Sequence, residues 1–163
     1  MPLLRNGRLG DNDSWRRLDD AEPLPGTNEE ASSDTAPIAL SLPRFLEHAA
    51  AGGEGVAGVW LAPNDDVLTL APWLGRLQLV AVGFPAYTDG RGYSQARRLR
   101  RRLGFAGEIR AYGDVRLDQV LFMMRSGIDA FELETSPEPS LLHHAVSRYR
   151  TSYQPSYALP IAG

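Results

Sequence analysis

The sequence contains no cysteine and no lysine, and all 17 of its basic residues are arginine. The absence of cysteine excludes disulfides, thiolate metal sites, an iron–sulfur cluster held by this chain and a cysteine nucleophile. The absence of lysine excludes a Walker A phosphate loop and a Schiff-base mechanism. Several routes to redox, nucleotide and covalent chemistry are therefore closed to this chain.

Long apolar runs are also missing. No stretch approaches the roughly 18 apolar residues of a membrane span, and the first residues, MPLLRNGRLGDND, lack the apolar core of a signal peptide. We therefore expect a cytoplasmic protein with no membrane partner. The three histidines, His48, His143 and His144, do not have metal-binding spacing, so no metal site is predicted.

The charge is unevenly distributed along the 163 residues, whose net charge is −3. Residues 1–66 hold 12 acidic residues and 5 arginines, whereas residues 67–163 hold 8 acidic residues and 12 arginines. A basic half of this kind suits an acidic partner or an anion. The plainer alternative is a solvated helix face that follows an acidic leader.

The composition divides the chain into four parts. Turn formers separate short apolar pieces in residues 1–18, which predicts a small hairpin-like N-terminal element. Residues 19–37 are acidic and rich in proline, serine and threonine, as in a flexible linker. Residues 38–150 carry the α/β domain, and residues 151–163 form an aromatic C-terminal tail.

From Ile38 onward, short apolar runs alternate with helical patterns. The runs at 38–42, 55–62, 76–85, 108–112 and 128–134 predict strands. About five βα units result, which implies an α/β fold with a parallel sheet covered by helices. We favour an open doubly wound sheet. The alternative is a partial TIM-like (β/α) barrel, because five strands are too few to close the full barrel.

In both architectures, ligands bind where the parallel strands end. The loops 85–93, 112–116 and 134–139 meet at that edge and bring seven candidate anion- or ligand-binding residues: Asp89, Gly90, Arg91, Gly92, Asp114, Arg116 and Glu134. Arginine pairs bind tetrahedral oxyanions with forked hydrogen bonds, so the edge suits a small-oxyanion-binding protein or an enzyme.

The same residues also have purely structural explanations. Gly90 and Gly92 would supply positive φ angles, Asp89 would cap the loop, and Asp114 would be the N-cap of the next helix. The dinucleotide fingerprint G-x-G-x-x-G is not matched after Gly90. No cofactor is therefore predicted.

The run RRLRRR lies on a predicted helix whose apolar face carries Tyr93, Ala96, Leu99 and Leu103, and which ends at Gly104. Since the protein is acidic overall and the run lacks interleaved aromatics, we expect no nucleic-acid binding. The run is either a solvated face or a docking surface for an acidic protein. The candidate docking residues are Arg97, Arg98, Arg100, Arg101 and Arg102, with Tyr153 and Tyr157 of the tail.

Residues 83–133, with the motifs FPAYTDGRGYSQAR and GDVRLDQVLFM, resemble an uncharacterised bacterial family, catalogued as domain of unknown function nine-three-four. The resemblance implies a gene beside assimilatory sulfite reductase genes and a cytoplasmic role in converting sulfite to sulfide. No catalytic residues are established for the family, so they are unknown here.

Three functions follow from the resemblance and the residues together. The first is an accessory protein that supports or docks to sulfite reductase, or to another sulfur-assimilation protein, without carrying electrons itself. The second is the oxyanion-binding protein or enzyme described above. The third is a structural homodimer, expected if a partial barrel has an apolar edge that a second copy covers.

Overall fold

The computed structural model describes residues 1–5, 8–10, 13–24 and 36–150, with side chains as far as His144. Its centre is a single eight-stranded sheet with the order β2-β1-β8-β7-β6-β5-β4-β3. The strands are β1 (Leu3–Arg5), β2 (Arg8–Gly10), β3 (Arg16–Arg17), β4 (Ile38–Ser41), β5 (Val56–Leu61), β6 (Leu79–Phe84), β7 (Glu108–Gly113) and β8 (Ala130–Glu132).

Helices follow most of the parallel strands, as the alternating pattern predicts. They are α1 (Leu42–Ala50), a 3₁₀ helix (Val67–Arg76), α2 (Arg91–Arg97) with a π-helical continuation (Arg98–Arg102), a 3₁₀ turn (Leu117–Gln119) that leads into α3 (Val120–Arg125), and α4 (Pro139–Arg150). The continuation of α2 is π-helical because the amide of Leu103 donates to the carbonyl of Arg98, five residues back, at 3.0 Å. Gly104 follows with a φ of 64°, so the predicted end of this helix is confirmed.

The sheet is mostly parallel, which confirms the predicted fold class. Strands β3 to β8 run parallel, while β1 is antiparallel to β8 and β2 is antiparallel to β1. The β1–β2 pair is the predicted N-terminal hairpin-like element. It extends the sheet at the β8 edge, and β3 extends it at the opposite edge. The sheet is therefore larger than five βα units.

The prediction of a doubly wound sheet is wrong. A doubly wound sheet reverses its strand order at a switch point, whereas β3 to β8 follow one another in sequence across the described sheet. Consecutive right-handed crossovers place their connections on one face of a sheet. This is the winding of a barrel, and the partial-barrel alternative describes it better.

The sheet is strongly curled. Arg17 of β3 forms an ion pair at 3.3 Å with Glu132 of β8, and its guanidinium carbon lies 4.2 Å from the ring centroid of Tyr112 in β7. Strands β3 and β8 are five positions apart in the order, which would be about 24 Å in a flat sheet. The two sides of the sheet therefore curve toward each other as a half-barrel.

Successive residues of each strand face opposite sides of this half-barrel. The outer, convex side carries the hydrophobic core, with Leu40, Val59, Val80 and Ile109 all fully buried. The concave side carries Gly58, Trp60, Arg110, Tyr112 and Glu132. Arg110 is the most buried of the charged residues there, with its side chain only 2% exposed.

The described part of the predicted linker lies against the sheet. Asp20 accepts a hydrogen bond from the hydroxyl of Ser41 at 2.5 Å, and Arg44 donates to the carbonyl of Asp19 at 2.6 Å. Residues 25–35 lie outside the described residues, and so does the C-terminal tail with Tyr153 and Tyr157.

Candidate functional site

The candidate site lies at the carboxyl edge, which we define as the edge of the sheet where strands β5 to β8 end. Its loops are joined by hydrogen bonds. The side-chain nitrogen Nε2 of Gln95 in α2 donates to the carbonyls of Ala62 (2.8 Å) and Asp65 (3.1 Å) after β5. The carboxylate of Asp114 after β7 accepts from the amide of Tyr87 after β6 at 3.0 Å. Most of the predicted site residues therefore lie on loops that are tied to one another.

Asp89 and Arg91 form a local ion pair in the loop after β6. Arg91 Nη2 lies 2.5 Å from Asp89 Oδ2, and Arg91 Nε lies 2.9 Å from Oδ1. The backbone amide of Arg91 also donates to Oδ1 at 3.1 Å, so Asp89 caps the loop as predicted. The hydrogen bond from the Arg91 side chain lowers the pKa of Asp89 from 3.8 to about 2. Arg91 also donates to Asn64 after β5.

Asp114 and Arg116 form a second local ion pair after β7. Arg116 Nε donates to Asp114 Oδ1 at 3.0 Å, and this hydrogen bond is the main reason that the pKa of Asp114 is lowered. The guanidinium carbon of Arg116 lies 4.3 Å from the ring centroid of Tyr87, a cation–π contact. Gln119 Nε2 donates to the carbonyl of Tyr87 at 2.8 Å.

The predicted N-cap role of Asp114 is wrong. The helix begins later, at Leu117, with Arg116 in the N-cap position. The carboxylate of Asp114 is instead directed to the neighbouring loop after β6. Sequence reasoning missed Tyr87 as its partner because a tyrosine 27 residues away gives no local signal of such a contact.

The predicted positive φ angles at Gly90 and Gly92 are also wrong. Gly90 has a φ of −85°, and the positive-φ glycine on this edge is Gly113, at 98°. A side chain on Gly113 would also collide with the carbonyl oxygen of Phe84. Gly92 is needed for space, because a Cβ there would lie 2.6 Å from the ring of Phe84.

The two arginines of this edge are accessible to solvent but already paired. Arg91 and Arg116 are each about half exposed, and each already holds an aspartate. An incoming anion would therefore compete with a resident carboxylate. Glu134 lies exposed after β8. Among the residues that the structure describes, no three histidine or acidic side chains cluster as a metal site would require.

The five predicted docking arginines do not share one environment. Four are exposed on the outside of α2 and its continuation: Arg97, Arg98, Arg101 and Arg102. Arg100 points inward and donates to the carbonyls of Gly127 (2.8 Å) and Phe105 (2.6 Å), and it pairs with Asp129. Arg100 thus anchors the helix, while the other four are exposed at its surface.

Comparison with known proteins places the chain in a family. A family model described as "Bacterial protein of unknown function (DUF934)" matches residues 58–162, more than half of the chain. No curated protein matches it significantly. None of the helices in the described part of the chain is long and apolar enough to cross a membrane. The chain therefore belongs to this bacterial family of unknown function, and the matched range includes the whole carboxyl edge from Asn64 to Glu134.

Proposed function

We propose that this protein is a cytoplasmic accessory of assimilatory sulfite reduction, which docks to sulfite reductase or to another sulfur-assimilation protein and carries no electrons itself. The pathway rests on the family resemblance. The docking role rests on one observation, the four exposed arginines of α2 and its continuation, which we call the arginine surface: Arg97, Arg98, Arg101 and Arg102.

The arginine surface is well placed for binding an acidic protein. Its side chains have one sign of charge and lie on adjacent turns of one helix, so their potentials add. The helix beneath it is held by Arg100, whose bonds to Gly127, Phe105 and Asp129 fix its end against the sheet. A rigid, positively charged face costs less conformational entropy on binding than a mobile one.

The two aspartates of the carboxyl edge lack the pKa expected of a general acid or base. Asp89 and Asp114, the candidate acids or bases, each accept hydrogen bonds from an arginine, and the pKa of each is lowered. A general acid or base that works near neutral pH needs a pKa close to that pH. Neither aspartate has the raised pKa of such a group.

Co-purification with sulfite reductase from a cell extract tests the proposal. We expect the wild-type chain to retain the enzyme and a variant with glutamate at all four positions of the arginine surface to lose it. A variant with lysine at the same positions is the matched control and should retain the enzyme, because the positive charge is preserved. Equal recovery with the glutamate variant would contradict docking through this surface.

The half-exposed Arg91 and Arg116 support a second candidate, a small-oxyanion-binding function at the carboxyl edge. Sulfite, sulfate or phosphate would replace an aspartate as the partner of an arginine. A rise in melting temperature with sulfite that Arg91→Ala abolishes would support this function. If sulfite, sulfate and phosphate all left the melting temperature unchanged, the oxyanion-binding function would be contradicted.

A further inference from the structure

The N-terminal segment occupies the concave side of the half-barrel. Asp13, Trp15 and Arg17 are every second residue of this segment, in which Arg16 and Arg17 form a strand and the amide of Trp15 donates to the carboxylate of Asp13 at 3.1 Å. All three contact the concave side. We call residues 13–17 the occupying segment and name its receiving residues the concave groove, which consists of Gly58, Trp60, Arg110, Tyr112 and Glu132.

Each alternate side chain meets a complementary group. The carboxylate of Asp13 accepts from Arg110 Nη1 at 2.7 Å. The ring of Trp15 lies over Gly58, where an added Cβ would approach it to 2.7 Å. The groove therefore contacts an acidic side chain, then an aromatic ring and then an arginine, at alternate positions of the segment.

Arg17 interacts with three residues of the groove. Its guanidinium carbon lies 4.2 Å from the ring centroid of Tyr112 and 6.0 Å from that of Trp60. Nη2 lies 3.3 Å from Oε1 of Glu132. Two aromatic rings and a carboxylate around one guanidinium form a recognition site for arginine, because they combine cation–π attraction with a charged hydrogen-bond acceptor.

The backbone of the segment is held as an added strand. The amide of Arg16 donates to the carbonyl of Pro37 at 2.9 Å, and the amide of Leu18 donates to that of Ala39 at 3.1 Å. Strand β3 consists of only two residues at the edge of the sheet. This is the geometry of strand addition, in which main-chain bonds give affinity and alternate side chains give specificity.

The groove residues also have partners that do not belong to the segment. Arg110 keeps Glu108, whose Oε1 lies 2.9 Å from both Nε and Nη2, and Glu132 at 3.5 Å. The hydroxyl of Tyr112 donates to the carbonyl of Leu61 at 2.8 Å. The groove residues all lie within the family match at 58–162, whereas the occupying segment precedes it.

We propose that the concave groove is a peptide-binding site, that residues 13–17 occupy it as a tethered ligand, and that a partner segment with an acid, an aromatic residue and an arginine at alternate positions displaces them. The side chains of Asp13 and Arg17 are each 37% exposed, so solvent reaches the segment's side of both ion pairs. Leu18, fully buried, holds the chain beside the groove. The concave groove shares no residue with the arginine surface.

Peptide binding to the full chain tests the inference. The probe is a fluorescein-labelled peptide with the sequence of residues 13–20, DSWRRLDD. The host is the double variant Trp15→Ala/Arg17→Ala, in which the tethered ligand is weakened. A tethered segment competes at an effective concentration near millimolar, so we expect the double variant to bind the peptide at least about tenfold more tightly than the wild type.

Two controls distinguish sequence-specific binding of the peptide from nonspecific binding. The peptide DSRRWLDD has the same composition with the tryptophan and the arginine exchanged, and it should bind at least about tenfold more weakly if order is read by strand alternation. Adding Glu132→Gln to the double variant should weaken binding of DSWRRLDD by a similar factor, since the arginine loses its carboxylate. Circular dichroism confirms that each variant is folded. If the double variant unfolds, Arg17→Ala alone carries the comparison, because Trp15 still packs over Gly58.

Three results would overturn the inference. The first is that the folded variants bind DSWRRLDD no more tightly than the wild type. The second is that both peptides bind equally. The third is that the wild type forms a dimer in sedimentation that the peptide dissociates. The last result would assign the groove to the segment of a second copy and not to a different partner.

Discussion

Arg100 and Asp129 form an ion pair beneath the arginine surface, with side chains only 10% and 13% exposed. Asp129 also accepts from the amide of Ile109 at 3.0 Å, which connects helix α2 to the start of β7. Burial raises the pKa of Asp129 despite these favourable partners. The hydrogen bond from the amide of Ile109 and the charge of Arg100 both act against this rise in pKa, so the two partners offset part of the effect of burial.

We expect Arg100→Ala to lower the free energy of unfolding by about 3 kcal/mol, because it leaves the buried carboxylate of Asp129 without its positive partner, with the amide of Ile109 as its remaining donor. Arg102→Ala, at an exposed position two residues later, is the control and should change it by less than about 0.5 kcal/mol. Urea unfolding followed by circular dichroism measures both values. Equal effects of the two substitutions would contradict the anchoring role of Arg100.

The pKa of Asp89 offers a direct test of the first carboxyl-edge ion pair. Its folded-state pKa is lowered from 3.8 to about 2, chiefly by the hydrogen bond from Arg91. Because the folded pKa is the lower one, the pair contributes stability that is fully present above pH 3.8 and is lost as the pH falls toward 2. We expect an NMR titration to find this low pKa in the wild type and a higher pKa in Arg91→Ala, still below 3.8 because the backbone amide of residue 91 remains a donor to Asp89. An unchanged pKa in the variant would rule out the pair as its cause.

The strands and helices were largely predictable because their causes are local. The apolar run that gives β6 and the helical spacing of Ala96 and Leu99 are visible in the sequence, and both elements form where expected. Gly104 likewise ends its helix for a local reason.

The winding of the sheet was not predictable in this way. Strand order depends on contacts between distant segments, such as that between Arg17 and Glu132. The two residues of β3 are too short a run to give a strand signal, so the N-terminal contribution to the sheet was only partly anticipated. Local pattern therefore identified the sheet as parallel and left its curl undetermined.

The positions of the site residues were predicted better than their hydrogen-bond partners. The prediction brought Asp89 and Asp114 to the correct edge because both follow strands. It could not assign Asp114 to Tyr87, because the two residues are 27 positions apart in the sequence. It also grouped Arg100 with the exposed arginines, although Arg100 follows Ala96 by four residues and Tyr93 by seven, which is the spacing of the apolar face.

The glycines of the carboxyl edge provide a prediction with an internal control. Gly113 has a φ of 98°, and a side chain there would meet the carbonyl oxygen of Phe84. Gly113→Ala should therefore lower the free energy of unfolding by about 1–3 kcal/mol. Gly90, with a φ of −85° and open space around it, should accept alanine with little change or a small gain. Thermal unfolding of the two variants distinguishes them, and equal melting temperatures would contradict the backbone assignment.

Gln95 is the remaining test of how the loops of the carboxyl edge are held together. Its amide nitrogen donates to the carbonyls of Ala62 and Asp65, and its side chain is almost fully buried. Gln95→Leu keeps similar bulk but leaves both carbonyls without this donor, which should cost about 1–3 kcal/mol. Hydrogen exchange should show faster opening in residues 62–66, because that loop would lose its attachment to α2.

Gln95→Glu is the sharper comparison for the same contact. A carboxylate has no donor for the two carbonyls and places a negative charge against them, so its effect should exceed that of leucine at neutral pH. Protonation restores a single donor, and the difference between the two variants should therefore shrink as the pH falls below the pKa of the new carboxyl. If the Gln95→Glu variant were as stable as the wild type at pH 7, the side-chain amide of Gln95 would not be the group that holds the loop after β5 against α2.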